Sequence, residues 1–352
     1  MKRFKNIVFA ALAVIVAASY GVPSLPASAV SSASLSIVPK KSYTISPGKS
    51  VKDTLVIRNL DRDVPLSLNL RVIDFTYTDD GGTPKLMLDE DAPQTTWSLK
   101  PFLTVPKTVT IPPLESRTLN MSVAIPAGHG AGSYYSAIVY SSGSSDGGNV
   151  GLSASGVTLV FTQIPGKVKE DLKLEQFGAY KTQTQTSKAG YTFFATDEPQ
   201  VMAYTLKNGG NVTEAPSGSI TIRGLFGNER VIGDVNPNSS LALIGQTRTF
   251  TSCIQLDAQE VEFSGTKTKT HKCVSPGLWP GFYTASLDLY YGQNGNATHE
   301  VKGTASFLYL PWWFILVALI VILAVSYYIW KIYNAIRAKF GIRPRSSSRR
   351  RR

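Results

Sequence analysis

The chain has 352 residues, two cysteines and a formal net charge of +12. Twelve of its 36 Lys and Arg residues lie among the first five and the last 22 residues. The region between these ends is neutral overall, which excludes the basic folded face that nucleic-acid binding requires.

The first 29 residues have the pattern of a cleavable secretory signal. Lys2, Arg3 and Lys5 precede an apolar run over residues 7–18, and Ala27-Ser28-Ala29 forms a small-residue cleavage site. This order of features is typical of signal peptides. We therefore expect cleavage after Ala29, with Ala27 and Ala29 as the recognition residues; an uncleaved signal anchor is the alternative.

Residues 30–309 are predicted to be a succession of β-strands. Apolar residues alternate with polar ones in at least three runs, at Val51, Leu55 and Ile57; at Leu66, Leu68, Leu70 and Val72; and at Leu119, Met121, Val123 and Ile125. A period of two, bounded by Pro, Gly, Asn and Asp, indicates antiparallel strands with one buried face. The pattern predicts an all-β fold of two tandem immunoglobulin-like β-sandwiches, over residues 30–168 and 169–309.

A weak internal repeat supports two related domains. Asn59 and Asn208 each end a strand that is followed by a polar turn, a Pro and a returning strand. Near the end of each domain, a Gly-rich turn opens a strand at Gly132 and at Gly281. Repeats of this length indicate tandem copies of one fold. The Gly/Ser-rich segment 141–156 is either an interdomain linker or, as we favour, a loop between the last strands of the first domain.

Cys253 and Cys273 lie in the same predicted domain. In an exported protein an even pair of this kind is expected to form a disulfide. Binding of a metal by the two thiols and His271 is the alternative, although the spacing is not that of a CxxC metal site.

Residues 310–330 form an uncharged apolar run with aromatic residues at both edges. A helix of this length matches the hydrocarbon thickness of a bilayer, so we predict a single transmembrane helix. The tail over residues 331–352 is basic and lacks acidic residues. The positive-inside rule predicts a cytoplasmic tail and an external region comprising residues 30–309.

No residue pattern in the chain predicts catalysis. Ser145 lies in a G-x-S-x-G pattern, but in a Gly/Ser stretch without a following helix. The acidic clusters 79–80 and 89–91 lack calcium-loop spacing, and the three histidines lack the spacing of a zinc protease. We predict a non-enzyme without cofactor or metal. Trp97 is a candidate ligand contact, although we favour packing in a sandwich core for it.

Several segments together resemble the WxL-interacting proteins of bacterial cell surfaces. In the first domain these are 46–48, 55–59, Trp97, 125–126 and 132–135; in the second they are Asn208, 210–211, Pro216, Gly218 and 281–283. The resemblance implies a peptidoglycan-binding domain, a partner-binding domain, a membrane helix and a basic tail. It adds Tyr134 and Tyr135 to Trp97 as candidate ligand contacts.

These observations lead to an expected function. We expect a single-pass protein of the cell membrane that acts as a cell-envelope scaffold and contacts wall glycan, a surface protein, or both. The alternative is a membrane-tethered chaperone that assists the assembly of surface proteins or pili. A surface hydrolase would need a catalytic cluster that the sequence does not indicate.

Overall fold

The computed structural model describes residues 35–77, 83–89, 94–142, 154–183, 188–225, 227–263, 266–292 and 298–339. The predicted cleavage residues Ala27 and Ala29 lie outside these ranges, as do Ser145, Asp79, Asp80 and most of the basic tail.

The first sandwich consists of two sheets and a small hairpin. Its strands are β1 (Leu35–Ile37), β2 (Lys40–Thr44), β3 (Ser50–Asn59), β4 (Leu66–Ile73), β5 (Phe75–Tyr77), β6 (Pro84–Leu86), β7 (Leu103–Thr104), β8 (Thr108–Ile111), β9 (Ser116–Ala124), β10 (Gly132–Ser141) and β11 (Ala154–Ile164). One sheet has the order β1-β3-β9-β7 and the other β2-β11-β10-β4-β8, while β5 pairs with β6. Because β10 pairs with β11, the Gly/Ser-rich segment connects neighbouring strands of one sheet.

The second sandwich repeats this plan. Its strands are β12 (Leu172–Lys181), β13 (Gly190–Tyr191), β14 (Phe194–Ala195), β15 (Val201–Asn208), β16 (Ser217–Gly224), β17 (Glu229–Ile232), β18 (Thr247–Cys253), β19 (Leu256–Phe263), β20 (Thr266–Cys273), β21 (Gly281–Tyr291) and β22 (His299–Tyr309). Its sheets have the orders β13-β12-β15-β18 and β14-β22-β21-β16-β17. The fold class predicted from the sequence, two tandem immunoglobulin-like sandwiches before one long helix, is confirmed.

Alternation of apolar residues explains why these strands form. In β3, Leu55 and Ile57 are buried while the intervening Val56 is exposed, so one face of the strand packs against the core. In β9, Met121 and Val123 are buried in the same way. Each sandwich encloses its own cluster of buried apolar side chains between its two sheets.

Strands β19 and β20 form a two-stranded ribbon outside the two sheets of the second sandwich. Cys253, at the end of β18, and Cys273, at the end of β20, are joined by a disulfide at the base of this ribbon. An isolated two-stranded hairpin is at best marginally stable in water. The disulfide ties the base of the ribbon covalently to the end of β18.

Replacing both cysteines with serine is expected to remove protection from amide exchange in β19 and β20 before the rest of the domain is affected. Closing a 20-residue loop is worth about 3 kcal/mol in the chain-entropy model. Without the disulfide the ribbon gains freedom in the native state as well as in the unfolded state, which offsets part of the loop-closure effect. We therefore expect the global free energy of unfolding to fall by less than about 3 kcal/mol. Hydrogen exchange followed by peptide mass spectrometry measures both effects. Loss of protection spread evenly over β12, β15 and β21 would contradict a local role.

The C-terminal helix α1 spans Trp312–Lys339 and is 28 residues long. It is the one helix within the described ranges that is long and apolar enough to cross a membrane. The apolar run to Trp330 was predicted from the sequence, but the helix continues through Lys339. No Gly or Pro interrupts residues 331–339, so the start of the basic tail can extend the helix.

Candidate functional site: the cleft between the two sandwiches

Packed contacts join the two sandwiches. Leu243 of the second sandwich is buried among apolar residues of the outer face of the first, namely Ile73, Phe75, Tyr135, Ala137, Val139 and Phe161. The Gln246 side chain accepts the N–H of Tyr77 at 3.1 Å, and the Arg248 guanidinium lies 4.8 Å from the centre of the Tyr77 ring. The outer face of β10 is therefore covered by the second domain.

A second contact lies at the start of β10. The Ser133 N–H donates to the Asn211 carbonyl at 3.0 Å, and the Thr213 N–H donates to Ser133 Oγ at 3.0 Å. Gly132 has a φ of +150°, and a Cβ there would lie 2.8 Å from the Asn211 carbonyl oxygen. At Gly132 and Ser133, the backbone of the second domain thus comes within hydrogen-bonding distance of the first domain.

The three candidate ligand contacts lie at or near this interface. Trp97 is half-buried, its ring stacks on Tyr135 at 6.1 Å between centroids, and it approaches Gly245 of the second sandwich. Tyr135 is fully buried, which leaves no ring surface for a ligand. The ring of half-buried Tyr134 lies edge-on to His129 at 4.5 Å. For Trp97, the structure shows packing against Tyr135 at the interface.

Beside these contacts, the two domains enclose an open cleft, which we call the interdomain cleft. Its volume is about 400 Å³. The first sandwich contributes the edge strand β2 and the end of β11, and the second contributes three loops. The principal lining residues are Lys40, Ser42, Thr44, Phe161, Gln163, Thr213, Glu214, Leu241 and Gly292.

Glu214 is the unusual residue of the interdomain cleft. It is 2% exposed, and its Oε1 atom is buried without a hydrogen-bond partner. An antiparallel bridge to Ala242 holds its backbone. Burial raises the pKa of its carboxyl from 4.5 to about 7, and repulsion from Glu170 contributes in the same direction. Buried polar atoms without partners are uncommon in native proteins, and one beside a cleft is a candidate ligand contact.

Strand β2 brings a row of backbone groups to the same cleft. It pairs in parallel with β11 and, among the residues that the structure describes, has no partner on its other side in the sheet. Pro39 accepts a hydrogen bond from β11 and Ile45 donates one to it. Because backbone groups alternate in direction along a strand, Lys40, Ser42 and Thr44 direct theirs to the uncovered edge.

The charges at the interdomain cleft have both signs. The Lys40 ammonium lies 5.2 Å from the centre of the Phe161 ring, a cation–π contact that leaves this exposed side chain near the entrance. Glu214 lies on the opposite wall. The cleft can therefore accept hydrogen bonds from a ligand at Glu214 and interact with an anionic or carbonyl group near Lys40.

Two larger concavities on the first sandwich have carboxylates that are already satisfied. In one, of about 560 Å³, Asp74 accepts hydrogen bonds from Thr95, Ser98 and Ser136. In the other, of about 640 Å³, Asp53 accepts hydrogen bonds from Lys41 and Tyr43, each at 2.6 Å. These contacts lower the pKa of Asp53 to about 2. Neither concavity presents an unpaired carboxylate, which distinguishes them from the interdomain cleft.

The remaining polar residues considered from the sequence lie apart from one another. His299 pairs with Glu170 at 2.9 Å, His129 packs against aromatic rings, and Asp89 is exposed. Cys253 and Cys273 are used in the disulfide. Within the described ranges, no group of three or more His, Cys, Asp or Glu side chains could hold a metal ion.

Sequence reasoning missed Glu214 and β2. Glu214 lies in the turn Thr213-Glu214-Ala215-Pro216, where a charged residue ordinarily faces solvent. Its burial arises only when the loops of the second sandwich meet Gly292 and the first sandwich. For β2, the one local signal is its mostly polar sequence, which is compatible with an exposed edge.

Comparison with known proteins gives structural similarity only. No protein-family model matches the chain, and no curated protein matches it. A chain from a chaperone–tip adhesin complex of CFA/I fimbriae has 10% identity and a TM-score of 0.36, covering 79% of this chain and all of that one. The E. coli chaperone DraB has 12% identity, a TM-score of 0.32 and coverage of 79% and 97%. The class 5 fimbrial chaperone CfaA has 9% identity, a TM-score of 0.32 and coverage of 79% and 99%.

Proposed function

We propose that the chain is a membrane-anchored binding protein of the bacterial cell surface that holds an extended segment of a partner surface protein. The segment adds as a strand to the free edge of β2, and one end of it enters the interdomain cleft. The observation that carries this proposal is the open edge of β2 leading into a cleft that contains the buried Glu214 carboxyl, whose Oε1 atom lacks a hydrogen-bond partner.

Strand addition fits the chemistry of this edge. An unpaired edge offers backbone donors and acceptors that another chain can satisfy. The exposed side chains of Lys40, Ser42 and Thr44 are small or flexible and polar, so they do not block an incoming strand. Main-chain pairing would supply affinity, and the cleft would supply selectivity.

The cleft adds a requirement for the end of the segment. Glu214 Oε1 needs a donor, which a backbone N–H or a side-chain hydroxyl can supply. The Lys40 ammonium favours a carbonyl or carboxylate nearby. A polypeptide carries both kinds of group at short spacing.

Anchoring and orientation form the second part of the proposal. The apolar helix α1 supports a single membrane span. Lys331, Arg337 and Lys339 follow the apolar part of α1 closely, which favours a cytoplasmic C-terminus and an external pair of sandwiches. A partner segment held outside the membrane suits the assembly chaperone and the envelope scaffold in its protein-binding form, which differ in whether the partner is later released.

Binding of wall glycan is a weaker candidate for this cleft. Trp97, the single Trp of the first domain, packs against Tyr135, so glycan stacking would need another surface. Membership of the WxL-interacting family is part of the proposal, as is the absence of enzymatic activity; both stay predictions.

The experiment places a photo-crosslinking amino acid at Thr44 in the full-length protein in cells and maps the crosslinked peptides. Replacing Ser42 with proline removes one outward-facing N–H without touching the β2–β11 ladder, because Pro is tolerated on a free strand edge. We expect crosslinks to a continuous segment of one surface protein, and a reduction of about tenfold or more in Ser42→Pro, as for the loss of about 1.4 kcal/mol.

Thr110→Pro is the matched control. Thr110 lies in β8, the opposite edge of the same sheet, and Leu70 pairs through its N–H with the Lys107 carbonyl. Hydrogen-bonded and non-hydrogen-bonded residue pairs alternate along β4 and β8, so the Thr110 N–H points away from β4 to solvent. Unchanged crosslinking in Ser42→Pro, or an equal loss in Thr110→Pro, would contradict strand addition at β2.

A further inference from the structure

Five large apolar side chains are exposed on the second sandwich near one end, and we call them the apolar rim: Phe193, Phe194, Leu225, Trp279 and Phe282. Their exposed fractions run from 36% for Phe282 to 71% for Leu225. Scattered exposed apolar residues are ordinary, but a contiguous set marks an interaction surface.

Backbone pairing puts the members of the apolar rim at the same end of the sheet. Phe194 and Phe282 both have Leu308 as a register partner, and the rings of Phe193 and Phe282 are 6.4 Å apart. Leu225 and Trp279 are connected to this end through Tyr283. Tyr283 pairs with Gly224, and its hydroxyl donates to the Trp279 carbonyl at 2.7 Å.

The same end leads into α1. Strand β22 ends at Tyr309 and α1 begins at Trp312. The Leu310 N–H donates to the Ala195 carbonyl at 2.9 Å, so the connection is tied to β14. Three residues of extended chain span at most about 11 Å. A helix that crosses a bilayer from Trp312 therefore holds this end of the sandwich within reach of the head groups.

Several charged groups near the apolar rim are paired within the protein. Arg223 pairs with Glu229 at 3.0 Å, and Arg230 donates to the Pro276 carbonyl at 3.0 Å. The Glu198 carboxylate accepts hydrogen bonds from Ser275 and Leu278. These pairings lower the penalty of moving this end out of bulk water.

We propose that the apolar rim inserts into the boundary between head groups and acyl chains of the bilayer that α1 crosses. This inference rests on the proposed anchoring by α1. Trp and Phe side chains favour that boundary, where Trp312 and Trp313 of α1 would also lie. The insertion fixes the angle of the second sandwich on the membrane and keeps the interdomain cleft, at the opposite end of that sandwich, away from the lipid.

The test uses the full-length protein in vesicles of phosphatidylethanolamine and phosphatidylglycerol that contain a lipid with a nitroxide high on its acyl chain. A fluorophore is attached at Trp279→Cys; both native cysteines are in the disulfide and do not compete. Lys173→Cys is the control, because Lys173 is exposed at the opposite end of the same domain, where Leu172 pairs with Asn208. We expect severalfold stronger quenching at position 279.

A second variant separates insertion from mere proximity. Leu225→Ser combined with Phe282→Ser keeps α1 but removes half of the surrounding rim, and quenching at position 279 should fall towards the control value. Equal quenching at positions 279 and 173, in protein that carbonate washing leaves in the vesicles, overturns the inference and leaves the anchoring intact. Release by carbonate overturns the anchoring and the inference together. Shielding of position 279 in native membranes but not in pure vesicles would assign the rim to a protein partner and overturn lipid insertion.

Discussion

Replacing Asn208 with alanine is expected to lower the free energy of unfolding of the second sandwich by about 4 kcal/mol. Asn208 is 0% exposed. Its side-chain amide donates to the carbonyls of Val212 at 2.7 Å and Ala242 at 2.9 Å, and its Oδ1 accepts the Gly210 N–H at 2.9 Å. Alanine leaves the Val212 carbonyl and the Gly210 N–H without these partners, whereas the Ala242 carbonyl loses one of two donors and keeps the Glu214 N–H. Urea unfolding followed by fluorescence measures the change.

Asn59 allows the same test in the first sandwich. It is 1% exposed, donates to the Val64 carbonyl at 2.9 Å and accepts the Asp61 N–H at 2.9 Å. We expect Asn59→Ala to destabilise the first sandwich by a similar amount. Asn238, which is exposed in a turn, is the control and should change stability by less than about 0.5 kcal/mol. A loss no larger than that control would mean that water replaces the lost amide.

The internal repeat seen in the sequence has its physical origin in these two residues. Each Asn ends a strand and ties the following loop to a distant one by side-chain hydrogen bonds. The Asn side chain offers two N–H donors and a carbonyl acceptor, whereas Ser and Thr offer a single donor. The repeat can therefore be recognised in the sequence, because both Asn residues meet the same local hydrogen-bonding requirement. The alternating runs can be recognised for a similar reason. Leu55, Ile57, Met121 and Val123 face a core that the first sandwich forms on its own.

Contacts between the sandwiches could not be predicted in this way. Strand β10 is buried on both faces, because Leu243 and its neighbours cover the face that would otherwise meet solvent. The sequence Ala137-Ile138-Val139-Tyr140 is continuously apolar, which is the only local sign of a second covered face. It does not identify the segment that covers it, since that segment lies about 100 residues further along the chain.

The candidate site depends on that same contact. Lys40 and Glu214 belong to different sandwiches, and neither has a neighbour in sequence that marks it as functional. Their proximity follows from how Ser133 binds Asn211 and Thr213. A variant that loosens this contact would therefore alter the cleft without touching either charged residue.

Glu214 is expected to make the stability of the second sandwich depend on pH between about 4.5 and 7. Below pH 4.5 the carboxyl is protonated in both the folded and the unfolded chain. As the pH rises, the unfolded chain loses its proton first, while burial keeps the folded pKa near 7. The contribution of Glu214 to stability therefore falls through this window and is absent above about pH 7. Raising the pKa of Glu214 from 4.5 to about 7 on folding corresponds to a change of about 3 kcal/mol in the free energy of unfolding.

Glu214→Gln keeps the shape and polarity of the side chain but cannot ionise, so the fall should disappear. The measurement is the difference in unfolding free energy between wild type and variant from pH 4 to pH 8, which cancels the contribution of groups that do not interact with Glu214. Glu229→Gln, at an exposed ion pair, is the control and should leave the slope unchanged. Parallel curves for wild type and Glu214→Gln would mean that solvent or a neighbouring group already satisfies the Glu214 carboxylate. The interdomain cleft would then lack the unpaired acceptor on which binding of a partner segment depends.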